Sequence, residues 1–322
     1  AGLVTCITFV WFAAPDLALT QLTVEVVTTV LLLLGLRWLP KRSEEIEGRA
    51  TLLPRLRRVR DFAIAVAAGA GLAAMAFAVL TRDAPESIAR FFLEKAYAEG
   101  GGTNVVNVIL VDFRGFDTMG EITVLGVVAL TVFALLRRFR PAPESVGIPQ
   151  QKLGTAPGEG ETDGADTDFL LVPAMVMQML FPVIALIAAF FFLRGHDQPG
   201  GGFVAGVVMA IAFILQYMAM GIRLTETRLR ILPVRWIGLG LLIAGGTGVG
   251  AWAFGKPFLT SYSTYLDVPL IGKVPAATAI LFDLGVFSLV LGATVLMLVA
   301  LARQSTRAHR AAESATRQAE EG

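Results

Sequence analysis

The chain has 322 residues, 55% of them hydrophobic and 16% charged, with a formal net charge of +1. A soluble domain carries about 25% charged residues, so this composition, with a mean hydropathy of +0.68, excludes an ordinary soluble enzyme and points to an integral membrane protein. The charge balance shows no basic patch interleaved with aromatics and gives no nucleic-acid reading, and the single cysteine, Cys6, excludes an intrachain disulfide framework.

Apolar segments fall at 1–14, 15–38, 61–82, 117–137, 169–193, 202–222, 233–254 and 276–302. Most approach the roughly 20 residues that a spanning helix needs. In lipid the backbone must satisfy itself, and no ten-residue alternation of a barrel is present, so helices are expected. The predicted fold is all-α and polytopic, with about eight transmembrane segments and an additional outer interfacial or re-entrant helix. The first segment is short. Ala1 already lies in apolar sequence, with no basic n-region or cleavage site, so the segment does not read as a signal peptide. It reads as a truncated helix in one piece of a longer polypeptide.

The second segment opens with Pro15 and Asp16 and carries Glu25 at its middle. A carboxylate at that depth costs roughly 2.5–3.5 kcal/mol on insertion scales. Gln21, Glu25, Thr28 and Thr29 share one helical face. Two readings stay open for Glu25: a protonated carboxyl bonded to a neighbouring helix, or a titratable relay group. Asp16, at the start of its helix, fits an N-cap.

Between the third and fourth spans, 85–98 reads as an amphipathic surface helix with Phe91, Phe92 and Tyr97 at headgroup level. The stretch 104–126, NVVNVILVDFRGFDTMGEITVLG, scatters Asn104, Asn107, Asp112, Arg114, Asp117 and Glu121 through apolar sequence. It predicts a short interfacial or re-entrant helix, a turn at Gly115, and then a spanning helix. Asp117 suits an N-cap, and Arg114 can pair with Asp112 or Asp117. Glu121, one turn further, is either part of that ion-paired start or a functional carboxylate.

Residues 141–168 are rich in Pro, Gly and acid and predict a flexible linker between two membrane units. Beyond it, Gln178 and Gln216 lie near mid-span, and Pro182 is expected to kink its helix. RGHDQPGGGFVAG (194–206) predicts a tight outer turn. Gly200, Gly201 and Gly202 open backbone angles closed to other residues, and no Lys-Ser or Lys-Thr follows to make a phosphate loop. His196 either stabilises this turn or handles protons at the outer mouth. Small-residue pairs Gly202/Gly206 and Gly246/Gly250 predict close helix packing, with 238–250 as a packing face. Asp283 sits seven residues into the last span, and residues 303–322 form a polar tail. No metal cluster, nucleophile elbow or nucleotide fingerprint is present, so no cofactor is expected.

If the helices alternate, 20 basic residues lie on one side and 7 on the other, with none inside a span. The richer side, holding 37–60, 223–235 and 303–317, is expected to face the cytoplasm.

Three stretches together resemble a known family. PDLALTQLTVE (15–25) and 104–126 resemble the C-terminal part of the large A subunit of Mrp-type multisubunit sodium/proton antiporters. GHDQPGGGFVAG (195–206) with FDLGVF (282–287) resembles the B subunit of the same antiporters. The same modules occur in membrane-bound hydrogenases, and the family is related to the membrane arm of respiratory complex I. The resemblance implies an A-subunit-like domain at 1–140, a linker at 141–168, a B-subunit-like four-helix domain at 169–302 and a cytoplasmic tail at 303–322. It also implies a bacterial cell membrane location and partner membrane subunits, including an antiporter-like domain preceding residue 1. Glu25 and Glu121 become candidate relay carboxylates for protons or sodium, with Asp112, Arg114, Asp117, His196 and Asp283 as further candidates along an ion path. The alternatives are a non-conducting scaffold, or a membrane component of an ion-translocating hydrogenase-like redox complex.

Overall fold

A computed structural model describes residues 2–36, 52–83, 86–138, 171–229, 232–268 and 272–320. The linker expected at 141–168, and the basic stretch over 37–51, lie outside these residues. Among the described residues, seven helices are long and apolar enough to cross a membrane, and Gly2–Trp11 is a shorter apolar helix before them. The chain forms two compact units, 1–39 with 92–322, and 40–91.

The smaller unit contains α3 (Leu52–Leu80), whose stretch Leu56–Leu80 is apolar enough to span. It starts nine residues before the expected apolar segment. Arginine and leucine are good helix formers, so the helix continues outward past the point where hydropathy falls.

The larger unit begins with α1 (Gly2–Trp11) packed on α2 (Pro15–Leu36). The amphipathic stretch folds as α4 (Ala89–Gly100). Then α5 (Val105–Val108) runs directly into a five-residue π-helical turn, Ile109–Phe113. The break before α6 (Gly115–Arg138) falls at Arg114, whose amide donates to the Ile109 carbonyl at 2.7 Å. A π turn leaves carbonyls displaced from their usual partners, and the Thr118 hydroxyl donates to the Leu110 carbonyl at 2.7 Å. The expected short helix, turn and spanning helix are therefore present. The π geometry has no counterpart in the sequence pattern.

The remaining elements are α7 (Leu171–Arg194), α8 (Gly202–Leu229), α9 (Pro233–Ala253), a hairpin of β1 (Ser263–Val268) and β2 (Gly272–Ala277), and α10 (Thr278–Glu320). α7 runs through Pro182. The strands pair antiparallel from Ser263 with Ala277 to Val268 with Gly272. This hairpin is the one departure from an all-helical chain among the described residues, and hydropathy gives no sign of it. It is anchored where it meets α10: Thr278 donates its amide to the Tyr262 carbonyl at 3.0 Å, and its hydroxyl accepts the Tyr262 amide at 2.9 Å. The polar tail continues α10 without a break, because its Ala, Arg, Glu and Gln residues favour helix.

α10 is the core of the larger unit. Phe282, Val286, Leu289, Val290 and Leu296 are buried in one apolar cluster with residues of α6, α8 and α9. Where α10 crosses α9, both helices carry glycine. A Cβ on Gly285 would lie 2.7 Å from the Ala244 nitrogen and 2.8 Å from the Gly240 carbonyl oxygen. Such close backbone approach is how small residues drive helix association in lipid, where no hydrophobic force separates protein from solvent. Of the two expected glycine pairs, Gly202 and Gly206 do pack against α10, whereas Gly246 and Gly250 meet nothing within 4 Å among the described residues. The packing face of α9 runs instead through Gly240, Ala244 and Gly248, which are buried.

Gly285→Val should force α9 and α10 apart and cost about 1–3 kcal/mol. Thermal melting of the detergent-extracted assembly should show a clear loss, whereas Gly246→Ala should leave the melting point unchanged.

Candidate functional site

The polar residues of the spanning regions divide into a consumed set and an unconsumed set. The consumed set gathers around the tight turn between α7 and α8. Gly200 and Gly201 have φ of +159° and +100°, and the Gly201 value is one that only glycine adopts without strain. The turn exposes amide donors that lipid cannot satisfy. Asp16 of α2 accepts the Gly200 amide at 3.0 Å, and Asp283 of α10 accepts the Gly202 amide at 2.7 Å. Gly202 is the first residue of α8, so Asp283 places a carboxylate on a helix N-terminus, where amides and dipole favour negative charge. A Cβ on Gly202 would lie 2.6 Å from an Asp283 carboxylate oxygen, and one on Gly201 would lie 2.6 Å from the Asn107 side-chain nitrogen. The glycines thus serve both the turn and the close approach. Asp16, expected as a cap of its own helix, reaches across to this turn instead.

Asn104 clamps the same loop from the other side. Its side-chain nitrogen donates to the Gly195 carbonyl at 3.0 Å and the Gln198 carbonyl at 2.9 Å, while its backbone amide donates to the His196 carbonyl at 3.1 Å. Its side-chain oxygen accepts the Asn107 amide at 3.3 Å and caps α5. Next to it, Thr103 donates its hydroxyl to the Asp197 carbonyl at 2.8 Å. His196 is buried, and its Nε2 lies 3.1 Å from the Gly100 carbonyl, which makes Nε2–H the donor. Asp112, on the π turn, accepts from the Ser261 hydroxyl and amide and faces His196; burial raises its carboxyl above the ordinary value, with Ser261 and His196 opposing. Asn104 and Asn107 stand out in the sequence only as polar interruptions. Gly100, Thr103, Asp197 and Ser261 give no sequence signal, because their partners are about 90 to 150 residues away.

The other candidates stay outside this cluster. Glu25, in the middle of α2, is half-buried and receives one weak bond from the Gln21 side chain at 3.4 Å. A Cβ on Gly2 would overlap its carboxylate, so α1 lies directly over it. Thr28 and Thr29 are exposed, and the Thr28 hydroxyl donates back to the Val24 and Glu25 carbonyls of its own helix rather than to the Glu25 carboxylate. At the start of α6, Arg114 pairs with Asp117, its Nε 2.6 Å from the carboxylate, and both are exposed. Glu121 is exposed one turn further along α6 and has no hydrogen bond or ion pair among the described residues. No three His, Cys, Asp or Glu residues converge on a metal-sized site among the described residues.

Asp283→Ala should leave the first amide of α8 without an acceptor and cost about 1–3 kcal/mol; Asp283→Asn, which keeps an accepting oxygen, should cost less, and melting of the extracted assembly separates the two. A second measurement concerns pH. A carboxyl raised in the folded state favours folding in acid and loses that advantage as pH rises. The stability of the unmodified protein relative to Asp112→Asn should therefore fall as pH climbs through and above the ordinary carboxylate range. A difference that grows with pH would contradict the burial of Asp112.

Residues 1–41 match a family described as the D subunit of MBH, 56–153 one described as the E subunit of MBH, and 172–313 a domain related to the MnhB subunit of Na+/H+ antiporters. The chain is 62% identical over 98% of its length to the A/B subunit of a probable K+/H+ antiporter of Rhizobium meliloti, of which it spans 32%. It is 42% identical to the B subunit of a Na+/H+ antiporter of Bacillus subtilis, covering 35% of this chain and 79% of that protein. A solved Mrp complex from Dietzia sp. DQ12-45-1b contains a chain that superposes with a TM-score of 0.77 at 32% identity, over 94% of this chain and 31% of that one. The chain therefore spans about a third of the A/B relative. With seven apolar spans among its described residues and a C-terminal region matched over most of a B subunit's length, this polytopic chain belongs to the Mrp-type family of multisubunit cation/proton antiporters, joining A-subunit to B-subunit sequence.

Proposed function

We propose that this chain supplies part of the proton or cation route of such an antiporter and docks the neighbouring membrane subunits, in the cytoplasmic membrane of a bacterium with its arginine-rich ends inside. Sodium and protons are the ions implied by the B-subunit kinship, and the A/B relative, from a probable K+/H+ antiporter, adds potassium. The chain acts as a transporter component rather than an enzyme. An antiporter-like domain on the N-terminal side would supply the rest of the machinery.

The observation that carries this reading is the pair of carboxylates that the fold does not use. Asp16 and Asp283 have backbone partners and Asp117 has Arg114. Glu25 has one weak bond and Glu121 none among the described residues, although both lie in helices long and apolar enough to cross the membrane. An ionisable group in a span faces a protein interior or a wet path, not lipid. The outward face of α6 therefore belongs against a partner protein of the complex, with Glu121 in the seam. The second reading, a scaffold that conducts nothing, is favoured by the consumed set, since those polar groups are fully occupied in joining helices.

In the complete complex, Glu25→Gln and Glu121→Gln should assemble normally and lose at least about tenfold in cation-dependent proton exchange in everted vesicles, as removal of a proton-transferring group does. Glu25→Asp should retain part of it. Full exchange by both well-assembled glutamine variants would establish the scaffold reading instead.

A further inference from the structure

We propose that the arginine-rich end of the larger unit holds a phospholipid with an anionic headgroup. Two clefts open there, of about 340 Å3 and about 220 Å3. They share Phe133 of α6 and Arg303 of α10. One lies between α6 and α10, and the other extends toward the start of α9 and the flank of α8. The floor is apolar, built from Phe133, Leu296 and Val299, and the larger volume falls in the range of about 300–1,000 Å3 found for small-ligand sites. Three exposed arginines ring the openings: Arg137 at the end of α6, Arg235 in the first turn of α9, and Arg303 on α10.

Three features select a lipid as occupant. The arginines come from three different helices yet meet at one level, the level where the spans end and headgroups begin. Guanidinium groups match a phosphate in geometry and charge. Beside them, the mostly apolar lining of the larger cleft, with Phe133, Leu296 and Val299, suits an acyl chain. The positive-inside rule puts this end at the cytoplasmic face, where anionic lipids collect basic groups and basic pockets between spanning helices bind their headgroups. The bound lipid would tie α6 of the A-like half to α9 and α10 of the B-like half on the side opposite the glycine turn.

The test uses the complete complex, exchanged into an equal mixture of phosphatidylglycerol and phosphatidylcholine, with retained lipid read by native mass spectrometry. Phosphatidylglycerol should be retained in preference. Each of Arg137→Gln, Arg235→Gln and Arg303→Gln should lower that preference about three- to fivefold, following the contribution of a basic residue near an anionic surface. Arg90→Gln, outside both clefts, should leave it unchanged. Equal retention of the two lipids by the unmodified complex, or an unchanged preference in the triple variant, overturns the proposal. A photo-crosslinking residue at position 133, with all arginines intact, decides the matter if the triple variant fails to assemble: an adduct with phosphatidylglycerol supports the lipid site, and an adduct with another protein of the complex refutes it.

Discussion

The structure depends on satisfying the amides of one glycine turn inside a membrane protein. Gly200 and Gly202 present N–H groups near the ends of two spans, and each unsatisfied group in hydrocarbon costs several kcal/mol. The acceptors come from helices that have no reason to be adjacent otherwise: Asp16 is 184 residues away and Asp283 is 81. Asn104, 91 residues from the loop carbonyl it meets, adds the complementary donors. The absence of side chains at the turn lets the three elements close on it. Helices α2 and α5, in the regions that match the D and E subunits of MBH, and α8 and α10, in the MnhB-related region, thus share one hydrogen-bonded junction.

That junction explains how much of the molecule is legible in the sequence. Spanning segments follow from hydropathy and length, and the expected ones within the described residues are helices. The turn at 194–206 is legible because three consecutive glycines have few other uses. What those glycines face is not legible. A carboxylate at the start of a helix looks the same whether it caps its own amides or those of a distant turn, and Asp16 does the second. The π turn at Ile109–Phe113 carries no composition signal, since Ile, Leu, Val and Phe suit an α-helix there equally well. The hairpin strands Ser263–Val268 and Gly272–Ala277 lie in the connection between α9 and α10, where hydropathy distinguishes a strand from a loop poorly.

Glycine patterns show a similar limit. A small-xxx-small spacing marks a face on which backbones can approach, but α9 carries glycine on more than one face. Gly240 meets α10, whereas Gly246 and Gly250 are open among the described residues. Spacing identifies a possible interface, and only the partner helix decides which one is used. The open glycines of α9 are on a surface that a further protein could approach as closely as α10 approaches Gly240.

The same logic separates the carboxylates. A spanning chain tolerates ionisable groups only where something compensates them. Asp16, Asp283 and Asp117 are compensated within the chain, by amides or by Arg114, so the fold gives each of them a partner. Glu25 is covered by the backbone of α1 at Gly2, with only Gln21 to answer it among the described residues, and Glu121 is exposed. On the proposed reading their compensation comes from a water-filled seam, a neighbouring protein or the ion itself. The transport role proposed for the chain rests on these two glutamates, the spanning carboxylates that contacts among the described residues leave least answered.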